Sequence, residues 1–83
     1  MLSASQLRAA RALLGLDQKG LAALTGVSLP TIQRMEASIG NVRATVESLS
    51  KVVDAIEEAG VELIGNEQPS QGRGRGVRYK ERT

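Results

Sequence analysis

The chain has 83 residues, 41% of them hydrophobic, and a formal charge of +2, which suits one small domain whose core is marginal unless it is well packed or shared with a second chain. Cysteine and histidine are both absent, which excludes the usual zinc ligands, thiol chemistry, disulfides and a histidine general base. No metal site or cofactor is expected, and a reducing cytoplasm is the expected setting. No apolar run approaches a membrane span, and the N-terminus lacks the basic segment and apolar stretch of a signal peptide, so a soluble protein is expected. Tyr79 is the single aromatic residue, which leaves almost nothing for unpaired bases to stack on; duplex DNA fits better. The body, residues 1–65, sums to −1 and residues 66–83 to +3. Bulk charge therefore does not advertise nucleic-acid binding, and a DNA-facing surface has to be argued locally.

The first helix is expected from about Ser3 to Leu14. Ser3 followed by Gln6 reads as a capping box, and Leu7, Ala10, Leu13 and Leu14 share one face before Gly15. Asp17 caps a second, short helix with Leu21, Ala22, Leu24 and Thr25 on its inward side and Gly26 as its stop. Ser28 caps a third helix, in which Pro30 falls in the first turn and Ile32 and Met35 lie three apart, ending near Ala37. Because Leu29 precedes proline, the start of this helix could fall one residue later than the Ser28 cap implies. Residues 38–43 read as a loop. Thr45 then caps a long helix carrying Val46, Leu49, Val52, Val53 and Ile56, closed at Gly60.

Beyond Gly60 the character changes. Residues 61–64 form a strand candidate, residues 65–76 are rich in Gly, Gln and Arg, and residues 77–79 suit an extended chain. Two readings stand side by side: an antiparallel hairpin, or a disordered tail from residue 66 on. The expected division is a DNA-binding domain over 1–65, its motif at about 17–37, and a Gly/Arg-rich tail over 66–83. There is no internal repeat. The tail is not a phosphate loop, because no strand and helix flank it in the required order.

Two short helices joined through a glycine turn pack at a steep angle only if small residues lie at the crossing and one residue accepts a left-handed backbone; Ala22 and Gly26 meet those demands. Leu21, Val27, Ile32 and Met35 then point inward, leaving Gln18, Ser28, Thr31, Gln33 and Arg34 outward. The run Leu16 to Glu36, with its Leu-x-Gln start at Leu16–Gln18, Leu21–Ala22 pair, Gly26–Val27 turn and Ile32-x-x-Met35–Glu36 end, closely resembles the Cro/CI-type (XRE-like) helix-turn-helix family. The likeness covers about residues 5 to 59.

The resemblance implies an all-α, compact four-helix, lambda-repressor-like domain of a transcriptional regulator, with the C-terminal segment added as a short hairpin or a basic tail. It also implies that Gln18 and Ser28 contact phosphates while Leu29, Pro30, Thr31, Gln33 and Arg34 face base edges. Asn41 and Arg43 match positions that clamp the DNA backbone, and Arg11 and Glu36 match a charged pair tying the first helix to the third. Physical chemistry agrees for most of these: helix N-termini and short polar side chains suit phosphate oxygens, and arginine grips guanine through two parallel hydrogen bonds. Leu29 and Pro30 depart from the polar residues common at those positions and suit contact with thymine methyl groups instead.

For Thr31 and Gln33 the plain reading, a first-turn residue and an exposed helix former, stands level with base contact. Glu47, Asp54, Glu57 and Glu58 keep the exposed face of the fourth helix away from phosphates. Surplus apolar residues there and in 61–64 point to a homodimer through the helix-four to strand region. Arg73, Arg75 and Arg78 read either as an arm along DNA or, with slight preference, as a solubilising tail. The leading expectation is a homodimeric repressor on a near-palindrome, since a chain this short carries no separate effector domain. The rival is an antitoxin or antiactivator using the same fold to hold a protein partner. An enzyme is not expected, because nothing assembles a nucleophile, base and oxyanion site.

Overall fold

A computed structural model describes residues 2–64 and 76–80. Helix α1 (Ala4–Leu13) begins at the capping box the sequence spells: the Ser3 hydroxyl accepts from the Gln6 amide at 3.0 Å, and Gln6 Oε1 accepts from the Ser3 amide at 3.0 Å. Helix α2 (Gln18–Thr25) starts where the Asp17 carboxylate accepts from the Gly20 amide at 2.7 Å. It stops at Gly26, whose φ of 73° is left-handed. A Cβ at Gly26 would meet nothing within 4 Å, so the turn needs glycine for its backbone hand and not for close approach.

Helix α3 (Leu29–Glu36) begins at Leu29, with the Ile32 amide donating to the Ser28 carbonyl at 3.0 Å. The pre-proline bias does not delay it: Pro30 occupies the first turn, where its missing N–H leaves no helical bond unmade. The segment 38–43 carries no regular element of its own but is pinned to the N-terminus. Ala4 N donates to Gly40 O and Val42 N to Leu2 O, both at 2.9 Å. Thr45 caps α4 (Val46–Glu58), and Gly60, at φ 100°, turns the chain into β1 (Val61–Ile64).

Strand β2 (Gly76–Tyr79) pairs antiparallel with β1, Glu62 opposite Arg78 and Leu63 opposite Val77. The hairpin reading therefore holds for 76–79, and Arg78 is tied into the sheet by Glu62 at 2.8 Å instead of belonging to a free arm. Arg73, Arg75 and the tail reading for 66–75 and 81–83 lie outside the described residues. The hairpin packs on α1 and α4, while α2 packs on α3 and α4.

The core is Leu7, Ala10, Leu21, Ile32, Met35, Val52, Ile56 and Val61, all fully buried, bordered by Leu2, Val27 and Val42. Leu24, expected inside, is 42% exposed, and Val46, on the apolar stripe of α4, is 80% exposed. The buried stripe of α2 is centred between Leu21 and Thr25, which leaves Leu24 off its edge. In α4, Val46 lies at the first position, rotated away from Val52 and Ile56.

Candidate DNA-binding surface

The helix-turn-helix is held from beneath by one acidic side chain. Glu36, last residue of α3, is 5% exposed. Its Oε2 accepts from Arg11 Nε at 2.8 Å, and its Oε1 accepts from Arg11 Nη2 at 3.0 Å and Gln18 Nε2 at 3.2 Å. Its backbone carbonyl accepts from Arg8 Nη1. Arg11 also donates to the Leu16 carbonyl at 3.2 Å, so α1, the α1–α2 link, α2 and α3 meet at a single carboxylate. The expected Arg11–Glu36 pair is present in the two-pronged form that suits a guanidinium. Hydrogen bonding to Glu36 pushes the Arg11 pKa above its ordinary value, with burial opposing and the charges of Glu36 and Asp17 assisting.

The turn has its own lock. Thr25 is buried; its hydroxyl donates to the Leu21 carbonyl at 2.9 Å and accepts from the Val27 amide at 3.2 Å, so one side chain spans the corner at Gly26. The sequence places Thr25 inward but gives no sign of this double bond, because a threonine at a helix end is equally at home facing water.

Above this base the outer face of α3 is polar. Ile32 and Met35 are fully buried, while Gln33, Arg34 and Pro30 are exposed and Leu29 and Thr31 half-buried. Ser28 is exposed and caps α3, its hydroxyl donating to Thr31 Oγ1 at 2.9 Å and accepting from the Thr31 amide at 3.4 Å. Thr31 is thus tied to the cap of the first turn while remaining half-buried on this face.

Gln18, Lys19, Leu29 and Gln33 line one shallow recess with Asp17, where the start of α2 faces the start of α3. Lys19 carries no role in the sequence reading, yet it is exposed at the rim of this recess. Its position immediately after Gln18, on a helix start already suspected of facing phosphate, is the signal that could have found it. Gln18, in turn, is not a simple surface side chain, since its amide is held by Glu36.

Past α3, Ser38 joins the two cationic stretches. Its hydroxyl donates to the Arg34 carbonyl at 3.1 Å and accepts from the Arg43 amide at 3.3 Å. Arg43 and Asn41 are exposed, with Asn41 bridged to Ser3. Lys19, Arg34 and Arg43 stand exposed along the motif and its following loop, with Asp17 the exposed acid there, whereas Glu47, Asp54, Glu57 and Glu58 stand exposed on α4 beside Lys51. Positive charge leads on the motif and negative charge on α4 although the net charge is small.

Two short helices crossing at a left-handed glycine, a buried inner stripe and a polar, cation-bearing outer face define a DNA-binding helix-turn-helix domain. A family model described as Helix-turn-helix matches residues 7–61, and the chain belongs to this family, the XRE or Cro/CI type. It is a family of DNA-binding transcription regulators and not of enzymes. A comparison with curated proteins gave no match. Among the described residues no helix is long and apolar enough to cross a membrane.

Proposed function

We propose that the protein is a homodimeric repressor in the cytoplasm that occupies a near-palindromic operator, laying α3 of each copy in successive major grooves about one helical turn apart. In this reading Arg34 is the principal base reader, with Gln33, Thr31, Pro30 and Leu29 beside it. Gln18, Ser28, Asn41 and Arg43 hold phosphates, joined by Lys19. Occupancy of a promoter is enough to block transcription, and no ligand or cofactor is needed.

The observation that carries the proposal is the division of α3: Ile32, Met35 and Glu36 are buried, while Gln33 and Arg34 stand exposed beside them. A polar helix face with an exposed arginine, alongside the exposed Lys19 and Arg43, suits the acceptor-rich major groove and its phosphates in sign. Fluorescence anisotropy across a salt series, with a selected and a scrambled duplex, tests it. Arg34→Ala is expected to lose about 1–3 kcal/mol of preference for the selected site. Its salt slope is expected to change by no more than one phosphate contact. If neither wild type nor Arg34→Ala prefers any duplex, the base-reading role fails and a protein partner becomes the better candidate for this surface.

A further inference from the structure

At the edge of the core on α4, Val46 is 80% exposed and Leu49 and Val53 are half-buried. With Leu2, Ser50 and Asp54 they line an open, mostly apolar groove of about 290 Å³. Positions 46, 49, 50 and 53 form a strip roughly a quarter turn around the helix from the buried Val52 and Ile56. We infer that this groove seats a second copy of the chain, the two α4 helices packing antiparallel about a two-fold axis between Leu49 and Ser50. The inference rests on the homodimeric reading above and assigns that dimer its face.

The strip is complementary to itself, which a two-fold interface requires. An antiparallel copy lays its Val53 on Val46 and its Val46 on Val53, and sets the small Ser50 against the larger Leu49 on both sides of the axis. Charge agrees with shape. Asp54, at the far end of the strip, falls beside the second copy's Thr45, where α4 begins and its free N–H groups favour an anion. The carboxylate that turns DNA away from this face thus selects an antiparallel copy. A parallel one would bring the two Asp54 residues together.

The test is the solution mass of the full chain, without DNA, at tens of micromolar. Wild type is expected to be dimeric. Val46→Asp is expected to be monomeric with its helical content unchanged, since the side chain is already exposed and an acidic residue is favoured in a first helical turn. Adding Asp54→Lys to Val46→Asp pairs the new charges across the axis and is expected to restore the dimer. A monomeric wild type, or a Val46→Asp variant that stays dimeric, overturns the assignment.

The DNA-reading proposal is separated by a second measurement on a single half-site, where both proteins are expected to prefer the selected over the scrambled sequence. On the full two-half site Val46→Asp is expected to bind ~100-fold more weakly or worse, because the linkage between halves is lost. Loss of half-site preference in wild type would overturn base reading while the mass result still decides the face.

Discussion

At either end of the molecule a buried polar side chain ties elements together, but over different reaches of chain. Beneath the helix-turn-helix, Glu36 gathers Arg11 and Gln18 across 25 and 18 residues. At the hairpin end, the buried Gln6 amide donates to the Ile64 carbonyl at 2.8 Å and the Gly76 carbonyl at 3.1 Å, across 58 and 70 residues. The Tyr79 hydroxyl adds a bond to the Leu13 carbonyl. The first knot is ionic and completed inside the first 36 residues. The second is neutral and waits for the chain to return. Closing the longer loops costs more conformational entropy for weaker bonds, so the hairpin end is expected to open first and the recognition end to resist.

The strongest way to break that comparison is to remove the ionic knot. Glu36→Ala leaves Gln18 without this acceptor and Arg11 with the Leu16 carbonyl in place of its carboxylate. Arg11 keeps 24% of its side chain exposed and can recover water, so the loss falls at the lower end of the range for a broken buried pair, about 3 kcal/mol. In a domain of this size that lowers the melting temperature by more than ~10 °C. Thermal unfolding followed by circular dichroism measures it. An unchanged melting temperature would mean that the apolar contacts of Leu21, Ile32 and Met35 hold the motif alone.

Gln6→Leu is the matching experiment at the other end. It keeps the bulk of the side chain but removes the bonds to the Ile64 and Gly76 carbonyls and the return bond of the capping box, at a cost of about 1–3 kcal/mol. Native-state hydrogen exchange distinguishes where that cost appears. Amides of β1 and β2 are expected to lose protection while those of α2 and α3 keep theirs. Equal loss in both regions would show a single cooperative unit, and the distinction between the two ends would fall.

The same contrast in reach explains what could be read in advance. Every helix cap was legible because each lies within three residues of the amide it satisfies: Ser3 to Gln6, Asp17 to Gly20, Ser28 to Thr31 and Thr45 to Ser48. The Arg11–Glu36 pair was legible only through family likeness, since nothing local joins residues 25 apart. Gln6 was half read: its capping bond is local, but its amide serves two carbonyls whose positions depend on a strand pairing that the composition of 65–76 left open. Val46 was left open because helical spacing marks it as apolar without saying which of two stripes it joins. On the candidate surface, spacing separated Ile32 and Met35 from Gln33 and Arg34, whereas the recess joining Lys19 to Gln33 exists only once α2 crosses α3.

The finest test concerns the hairpin alone. Glu62 stands opposite Arg78, 2.8 Å apart, with about half of each side chain in water. The hydrogen bond from Arg78 holds the Glu62 pKa below its ordinary 4.5, and the charges of Arg78 and Lys80 act in the same direction. A carboxyl whose folded pKa is depressed contributes stability that is whole above its unfolded value and is lost as pH falls through the folded one. Wild-type β1 and β2 amides should therefore exchange more slowly than those of Glu62→Gln at neutral pH, and the two should converge as pH drops below 4.5. Other carboxyl groups titrate in the same window, so the difference between the two proteins is the quantity to follow. Because the pair is exposed, the gap should be small and shrink with added salt. No gap at neutral pH would assign the hairpin's order to Gln6, Tyr79 and the packing of Val61 and Ile64, with Glu62 a bystander.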